Sequence, residues 1–573
     1  MDEFENIKKV LNGKTYVSFD IFDTVLLRPY IKPTDLFGHM ELLFKADGFS
    51  EKRITAEKTA RRKYHREITL DEIYCELDEK FLPLKEKEIE MEISLSLPNK
   101  PIFDLYKELI ETKKIILISD MYLPSDVIER MLEKNGISHY HKLYVSSEHK
   151  KTKSSGQLFD LVIDDLGISK DDIVHIGDNR RSDCKIPTKK GILSFCYTKP
   201  LDKYKRNHGD EYRFYKRKRT LYRSIIVSMD MIVGMSDNVW FDMGRRFGGP
   251  LATSFSAIIN NDGQDRLYMY TSRDGYNLKR ISEKLYPQNK TGYIYSQRLI
   301  LDVLTEEKLP YGPIELPNKY SDRFQFERMS SSMRRILNFF KKELNIEVPD
   351  DPDSIAEIYD ARISEIDALR KNGFSDYSDY VKRMCGDEDI NIIDCTTKKY
   401  SSQKLIENVL GRPVKGFYLV TLSEEDKYEH VAMCNWHSPV IGWMNIDVPE
   451  FFLCSPECPL SSWNNGPVFD DSSSNEMFRA SVYGDVSDGE LDYAEQFKQI
   501  FGEYMIPMDY WSVVKWSKIS AIRGGVHYNS LKQIKWASDP DHSEYMPLVT
   551  NIDSIKMIAK KVLTSLITKI NGD

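Results

Sequence analysis

Long apolar runs are missing from this sequence. Nowhere do eighteen apolar residues follow one another, so the sequence predicts no membrane-spanning helix. The first residues, MDEFENIKKVLNGKTY, are charged and lack the apolar stretch of a secretory leader. The most apolar later stretch, SIIVSMDMIVGM at 224–235, is short and contains Asp230, which favours a buried helix. The sequence therefore predicts a cytoplasmic protein.

CxxC motifs and excess positive charge are missing as well. The eight cysteines are scattered, only Cys454 and Cys458 are close together, and no cysteine pairs accompany histidines at zinc spacing. We therefore expect reduced cysteines and no structural zinc. The net charge is −8, so no overall field attracts nucleic acid.

The order of apolar segments predicts the fold of the N-terminal part. A chain of 573 residues exceeds one hydrophobic core, which predicts two or more domains. In the first 200 residues, predicted strands at 16–20, 114–119, 142–146, 173–176 and 192–196 alternate with amphipathic helices. This alternation predicts an α/β fold with a parallel sheet and helices on both faces. Ligands of such sheets bind at the carboxyl ends of the strands.

Helical periodicity predicts the remaining organisation. The segment at about 30–105 lacks an obvious strand, which predicts a helical cap, with Thr69 and Glu72 as a capping box. Residues 201–232 are predicted to form a connecting helix. Residues 233–573 are predicted to form a second α/β domain, or two poorly separated ones. Their C-terminal part is predicted to be helical and includes SIKMIAKKVLTSLITKI.

Two carboxylates stand at the end of the first predicted strand, in TYVSFDIFDTVLLRP at 15–29. Asp20 and Asp23 follow apolar residues, and Thr24 comes next. An Asp could simply end the strand, because Asp is common in turns. The alternative is a catalytic carboxylate, and the other strand ends bear on that choice.

The other strand ends carry complementary groups. Ser119 ends the second strand, Lys153 lies in KKTKSSGQLF, and Asp178 and Asp183 follow the fourth strand. A carboxylate nucleophile such as Asp20 can form a phosphoaspartate. The carboxylates offer Mg²⁺ the hard oxygen ligands it prefers, and Ser119 and Lys153 can bind phosphoryl oxygens. Together these residues predict phosphoryl transfer at one edge of the sheet.

These motifs resemble those of the haloacid dehalogenase (HAD) superfamily of phosphatases and phosphotransferases, over roughly residues 14–200. The first motif matches Asp20 with Thr24, the second Ser119, the third Lys153, and the fourth Asp178 with Asp183. The resemblance implies an HAD-like Rossmannoid sheet with a helical cap, and Asp20 as nucleophile. The Mg²⁺ site that it implies consists of Asp20, Phe22, Asp178 and Asp183.

The resemblance also implies that the cap selects the substrate. Arg53, Glu57, Arg61 and Arg62 could reach it, and Arg53 and Arg62 are the candidate contacts. The alternative is that these side chains are ordinary exposed helix charges.

One position departs from the phosphatase pattern. The phosphatases place an acid two residues after the nucleophile to protonate the leaving oxygen, and that position here is Phe22. Asp23 could replace the acid through a local bulge, the leaving group could need little protonation, or turnover could be slow with transfer to a selected acceptor. Dehalogenation also lacks the acid, but it needs neither metal carboxylates nor a phosphate cradle.

The second half contains the segments RRFGGPLATSF, YTSRDGYNLKRI, GYIYSQRLI, NIIDCTTKKYSSQKL and VPEFFLCSPECPLSSW. These segments resemble the long C-terminal region attached to this phosphatase type in bacterial polysaccharide gene clusters, where glycosyltransferases accompany it. In YTSRDG, the residues Arg273 and Asp274 stand between a strand and a helix, where they could bind an anionic substrate group, or form only a tight turn. Arg298 could join Arg273. His430 and His437 flank Cys434 without metal spacing, which favours structural roles.

Three hypotheses follow. The first is a Mg²⁺-dependent phosphatase or phosphotransferase acting on a phosphorylated sugar or glycan precursor, with glycosyltransferases as partners. The second is a catalytically impaired scaffold or binding protein of a glycan-assembly complex. The third is a sugar-transfer activity in the C-terminal half.

Overall fold

The computed structural model describes residues 3–261, 266–422, 428–435, 447–470, 473–523, 525, 527–536 and 546–549. The chain divides into two compact units. Unit 1 comprises Met1–Gly234 and Gln496–Ile506, and unit 2 comprises Met235–Glu495 and Pro507–Asp573. The predicted C-terminal helical segment at 554–570 lies outside the described residues.

Unit 1 contains a five-stranded parallel sheet. Seven strands of this unit are β1 (Tyr16–Phe19), β2 (Leu26–Leu27), β3 (Leu97–Pro98), β4 (Lys114–Ser119), β5 (Lys142–Val145), β6 (Ile173–Gly177) and β7 (Leu193–Cys196). The order is β5–β4–β1–β6–β7, and every neighbouring pair is parallel. The central strands are short apolar runs with buried side chains, as expected for a sheet covered on both faces. The predicted parallel α/β sheet is confirmed.

The insertion between β2 and β3 is helical. These two short strands pair antiparallel at its base. Its helices are Asp35–Leu43, Phe49–Tyr64, Leu70–Tyr74 and Leu84–Leu95, with a 3-10 turn at Glu79–Phe81. Thr69 and Glu72 form the predicted capping box, in which each side chain accepts a hydrogen bond from the other residue's backbone N–H.

The other helices of unit 1 cover the sheet or follow it. They are Glu3–Leu11, Lys100–Leu109, Ser125–Lys134, Ser146–His149, Gln157–Leu166, Ile186–Lys189, Pro200–Asn207, Gly209–Arg217 and Leu221–Val233, with a 3-10 turn at Lys170–Asp172 and a π-helical turn at Arg180–Lys185. The prediction of one connecting helix at 201–232 is wrong, because this segment contains three helices. The last of them is largely buried, as its apolar sequence predicts.

Residues 496–506 complete unit 1 around His39. This side chain is fully buried in the cap. His39 Nδ1 lies 2.7 Å from the Tyr30 hydroxyl, and its Nε2 lies 2.8 Å from the carbonyl oxygen of Tyr504. The rings of Tyr30 and Phe501 pack edge-on or tilted against it. The C-terminal piece therefore supplies both a hydrogen-bond acceptor and apolar surface to this unit.

Two cysteines of unit 1 are paired. Cys184 and Cys196 form a disulfide across twelve positions of the sequence. The expectation of reduced cysteines is wrong for this pair, because the turn after β6 and the end of β7 bring them together.

Unit 2 contains a second five-stranded parallel sheet. Its strands are β8 (Leu267–Thr271), β9 (Thr291–Ile294), β10 (Ile390–Thr397), β11 (Lys415–Thr421) and β12 (His430–Asn435), in the order β12–β11–β10–β8–β9. Two antiparallel pairs join β13 (Leu460–Trp463) to β14 (Pro467–Phe469) and β15 (Lys535–Trp536) to β16 (Met546–Pro547). The predicted second α/β domain is confirmed.

Many helices accompany this sheet. They are Val239–Met243, Gly249–Asn260, Tyr276–Leu285, Arg298–Leu304, Arg323–Phe339, Pro352–Ala361, Ile363–Cys385, Ser401–Leu410, Asp447–Phe452, Ser474–Phe501, Tyr510–Ser517 and Tyr528–Leu531. Short π and 3-10 turns of unit 2 occur at Gly244–Gly248 and Lys518–Ala521, and a 3-10 turn of unit 1 occurs at Gly502–Tyr504. Among the described residues, no helix combines the length and apolar character that a membrane crossing requires.

Candidate metal centre

The two central strands of unit 1 bring carboxylates to one edge of the sheet. The chain adds β4 and then β5 on one side of β1, and it adds β6 and then β7 on the other side. The direction in which strands are added therefore reverses between β1 and β6. Ligands of open α/β sheets bind at such a reversal, outside the carboxyl ends of the strands. Asp20 follows β1, and its backbone N–H donates to the carbonyl oxygen of Ile176 at 2.9 Å. Asp178 follows β6 directly.

A third carboxylate completes the group. Asp20, Asp178 and Asp183 each offer one oxygen, and these oxygens lie within 4.8 Å of one another. Asp183 comes from the π-helical turn, and its Oδ2 accepts a hydrogen bond from the backbone N–H of Asn179 at 2.9 Å. Three oxygen donors at this spacing suit a divalent cation.

Gly177 and His175 hold Asp183 in place. A Cβ atom on Gly177 would lie 2.6 Å from Cβ and Cγ of Asp183, so only glycine leaves room for this carboxyl group. His175 Nε2 lies 3.3 Å from Asp183 Oδ1, and its Nδ1 lies 2.9 Å from the Ser18 hydroxyl. Sequence reasoning missed both residues, although Gly177 directly precedes Asp178.

Lys153 links the carboxylates from inside the fold. Its ammonium group contacts Asp20 Oδ1 and lies 2.7 Å from Asp183 Oδ1. The residue is almost fully buried. Asp120 fixes its loop by accepting a hydrogen bond from the backbone N–H of Lys153 at 2.7 Å. The structure thus places Lys153 beside Asp20, more than a hundred residues away in the sequence.

Two hydroxyl groups lie in the same neighbourhood. Thr24 Oγ1 donates to Asp20 Oδ2 at 3.1 Å, directly beside the carboxylate group. Ser119 ends β4, the strand next to β1, and its hydroxyl oxygen is buried with no hydrogen-bond partner among the described residues. Buried hydroxyls are usually paired. The Ser119 hydroxyl is therefore a candidate donor to a group bound at this edge of the sheet.

Burial and charge perturb the pKa values of this group. Burial raises the pKa of Asp20 to about 7, with Lys153 opposing the shift and the neighbouring carboxylates reinforcing it. For Asp183 burial acts in the same sense, but Lys153 and His175 outweigh it and hold the pKa below its usual range. Burial favours neutral Lys153, yet the carboxylates Asp20 and Asp183 prevail and raise its pKa. The group has more negative than positive charge, which favours a bound cation.

These residues fit Mg²⁺ and a phosphate group. Asp20, Asp178 and Asp183 supply hard oxygen ligands, and Mg²⁺ typically takes few protein ligands and completes its shell with water and substrate oxygens. The Lys153 ammonium beside Asp20 and the Ser119 hydroxyl at the end of the neighbouring strand are donors of the kind that phosphoryl oxygens need.

Phe22 occupies the position at which the phosphatases have an acid, and Asp23 follows it. The Phe22 side chain offers no oxygen, and the Arg28 guanidinium lies 4.1 Å above its ring, so only the Phe22 backbone carbonyl could bind a cation. Asp23 adopts a left-handed backbone with φ of 62°. Its carboxylate Oδ2 lies 3.2 Å from Lys199 Nζ. The Asp23 side chain therefore stays at the same edge of the sheet.

The cap arginines lie in different environments. Arg53 is fully buried, and its guanidinium donates to both carboxylate oxygens of Glu88 at 2.8 and 2.7 Å. The alternative that Arg53 is an exposed helix charge is therefore wrong, and its contact with a substrate stays a prediction. Arg61 pairs with Glu57 and Glu67, and Arg62 is exposed on the same helix.

The candidate residues of unit 2 lie at the end of β8. Arg273 has a left-handed backbone with φ of 67°, and its guanidinium lies 3.4 Å from Glu476 Oε2. Burial raises the pKa of Asp274 to about 7, Asp394 reinforces this shift, and Arg273 opposes it. Arg273 is therefore engaged by an acid of its own unit.

The remaining predicted positions have ordinary surroundings or lie outside the description. His430 Nδ1 lies 2.8 Å from the carbonyl oxygen of Tyr428. Cys434 lies on β12. His437 lies outside the described residues.

Comparisons with known proteins match only part of the chain. No protein-family model matches it, and no curated protein does. Among solved structures, it is similar to an HAD family enzyme from Bacteroides thetaiotaomicron, with 18% identity, 33% of this chain and 95% of that chain covered, and a TM-score of 0.26. A structure of the Bacteroides enzyme with magnesium and inorganic phosphate also matches, with 18% identity, 33% and 96% coverage, and a TM-score of 0.24. The L-2-haloacid dehalogenase from Xanthobacter autotrophicus matches with 12% identity, 36% and 83% coverage, and a TM-score of 0.26.

Proposed function

We propose that unit 1 is a Mg²⁺-dependent phosphatase or phosphotransferase that works through a phosphoaspartate on Asp20. The observation that carries this proposal is the meeting of three carboxylates, the Lys153 ammonium and the orphaned Ser119 hydroxyl at one edge of a parallel sheet. A strand-ending Asp alone does not require partners from four separate segments. The HAD-type motifs in the sequence point to the same chemistry.

In the first step, an Asp20 oxygen attacks the substrate phosphorus. The new oxygen–phosphorus bond forms as the bond to the leaving oxygen breaks, and the leaving oxygen departs with the electron pair. Lys153 lies against Asp20 Oδ1, and Thr24 donates its hydrogen bond to Asp20 Oδ2. Lys153 and Ser119 stabilise the negative charge that spreads over the phosphoryl oxygens.

In the second step, water or an acceptor hydroxyl attacks the same phosphorus and releases Asp20. The attacking oxygen loses its proton, and the carboxylate of Asp20 recovers the electron pair of the broken bond. Asp23 directly follows the position of the missing acid in the sequence and is the candidate to accept this proton. When bound, Mg²⁺ would be held by Asp20, Asp178 and Asp183 and would reduce the repulsion between the nucleophile and the phosphate.

The proposed substrate is a phosphorylated sugar or glycan precursor in surface polysaccharide synthesis, with glycosyltransferases as partners. This part rests on the resemblance of the second half of the sequence to regions from such gene clusters. The proposed setting is cytoplasmic, where disulfides are rare, so the Cys184–Cys196 bond argues against it. Alkylation of free thiols in intact cells followed by mass spectrometry decides this point.

A scaffold without turnover is the second candidate. Phe22 favours it, because an aromatic ring under Arg28 occupies the position at which phosphatases have the proton donor. The carboxylate group would then bind a cation and a phosphorylated ligand without cleaving it.

Phosphate release from a panel of sugar phosphates with Mg²⁺ tests the proposal. We expect the full-length wild-type protein to release phosphate and Asp20→Asn to release none, because the amide cannot form the phosphoaspartate. Asp202→Asn is the matched control, since its exposed carboxylate pairs with nearby Lys205 at 3.0 Å. Acceptor alcohols are then added to distinguish phosphoryl transfer from hydrolysis. The measured quantity is the fraction of phosphoryl groups that is transferred to the alcohol rather than to water.

Release that persists in Asp20→Asn would contradict the aspartyl mechanism. No release from either protein, together with recovery of glycan-pathway proteins in pull-downs, would favour the scaffold.

A further inference from the structure

Lys199 lies beside the candidate metal centre, although nothing in its sequence context marks it. It stands between β7 and the helix Pro200–Asn207. Its Nζ lies 3.2 Å from Asp178 Oδ2 and 3.2 Å from Asp23 Oδ2. The side chain is 27% exposed, so part of it is in contact with solvent. One ammonium group therefore joins a candidate metal ligand to the carboxylate next to Phe22.

The two carboxylate oxygens of Asp178 have different neighbours. Lys199 takes Oδ2, whereas Oδ1 lies 3.5 Å from the Thr24 hydroxyl. The same hydroxyl donates to Asp20 Oδ2. Asp178 Oδ1 and Asp20 Oδ2 thus share one neighbour. The contact with Lys199 restrains the orientation of the Asp178 carboxylate and leaves Oδ1 on the side of Thr24.

The backbone around Lys199 is fixed. The backbone N–H of Tyr197 donates to the carbonyl oxygen of Gly177 at 2.9 Å, and that of Thr198 donates to Glu3 at 2.8 Å. Tyr197 is buried, and its hydroxyl lies 3.2 Å from Asn99 Nδ2. The ammonium group therefore extends from a rigid base.

Asp23 is fixed from the other side. Its backbone N–H donates to the carbonyl oxygen of Leu26 at 2.8 Å within a tight turn. The left-handed backbone of Asp23 belongs to that turn and leaves its carboxylate within reach of Lys199. Lys199 is thus held between two carboxylates that come from the ends of β1 and β6.

We propose that Lys199 is a positioning residue that orients Asp178 for Mg²⁺ and ties it to Asp23. This inference rests on the proposed function of unit 1. Partners that orient metal ligands typically change metal affinity by about 10- to 100-fold when they are removed. A positive charge near a cation, by itself, weakens binding of that cation. The two roles therefore predict opposite signs for the loss of Lys199.

Calorimetric titration of the full-length protein with MgCl₂ tests this inference. Positioning predicts that Lys199→Met weakens Mg²⁺ binding by about 10- to 100-fold, and that Lys199→Arg restores most of it. Lys205→Met is the matched control, because Lys205 pairs with the exposed Asp202 of its own helix and lies over the Tyr212 ring, away from the three carboxylates. We expect this control to bind Mg²⁺ like the wild type. Lys199→Gln, with similar length and no charge, provides a second test if the Met variant does not fold.

The outcomes separate the two proposals. Equal or tighter Mg²⁺ binding by a folded Lys199→Met or Lys199→Gln overturns the positioning role and leaves the metal centre intact. Loss of binding in Lys199→Arg, equal to that in Lys199→Met, also overturns it, since the rescue fails. Absence of Mg²⁺ binding by the wild type, or unchanged binding by Asp178→Asn, refutes the proposed metal centre itself.

Discussion

Gly177→Ala tests how Asp183 is positioned. The new Cβ would lie 2.6 Å from Asp183 Cβ and Cγ and 2.8 Å from Oδ2. Ordinary contact begins at 3.4 Å, so these atoms must separate by about 0.8 Å. Asp183 Cβ is attached directly to the backbone, so the displacement cannot be absorbed by rotation of a flexible side chain.

The displacement has two expected effects. Overpacking of this kind costs about 1–3 kcal/mol of unfolding free energy. A shift approaching 1 Å in a catalytic group costs about 100-fold in rate. We therefore expect Gly177→Ala to lose about 100-fold in phosphate release and to bind Mg²⁺ more weakly, while remaining folded at 25 °C.

Phosphate release and calorimetric Mg²⁺ binding measure these effects. Gly209→Ala is the matched control, because a Cβ on Gly209, the first residue of its helix, meets nothing within 4 Å. Wild-type rate and Mg²⁺ affinity in Gly177→Ala would refute the view that close packing of Asp183 against Gly177 builds the site.

Two further predictions concern the stability of unit 1. Because this unit contains none of the seven tryptophans, tryptophan fluorescence does not report its unfolding. Its free energy of unfolding is therefore measured by pulse proteolysis in urea, with the fragments identified by mass spectrometry. Burial lowers the pKa of His39 from 6.5 to about 4, so the unfolded state binds the proton first on acidification. Stability is unaffected above pH 6.5 and falls towards pH 4, by about 2 kcal/mol between pH 7 and 5. His39→Gln should lack this loss, and equal acid sensitivity in both proteins would count against the buried neutral imidazole. Glu88→Ala removes the buried partner of the Arg53 guanidinium, leaves it with the longer 3.5 Å contact to Glu57, and should cost about 3–5 kcal/mol. Glu57→Ala removes a carboxylate that is 25% exposed and should cost less than about 1 kcal/mol of unfolding free energy. Similar losses in the two variants would show that burial does not govern the contribution of these ion pairs to stability.

The sheet of unit 1 could be predicted because its signal is local. Its five strands are short apolar runs separated by helical segments, and polar residues directly follow the buried strands. Asp20 and Asp178 could be placed together because parallel strands end at one edge of a sheet. Thr69 and Glu72 were recognisable because a capping box has fixed spacing.

Other features depend on contacts that have no fixed spacing. Lys199 comes after an ordinary edge strand, and only the fold brings it to Asp178. Arg53 lies in a highly charged segment that predicts exposure, yet Glu88 on another cap helix pairs with it in the interior. Cys184 and Cys196 have no diagnostic pattern, and their pairing depends on how the turn after β6 meets β7.

The piece Gln496–Ile506 has a consequence for work with fragments of this protein. A fragment that ends at Gly234 contains the whole sheet of unit 1 but lacks Phe501 and Tyr504. His39 would lose the acceptor of its Nε2 and one of its aromatic neighbours. Such a truncation removes interior contacts rather than a loose tail. Expression of the first 234 residues alone is therefore expected to give a cap in which His39 and its neighbours are exposed to solvent.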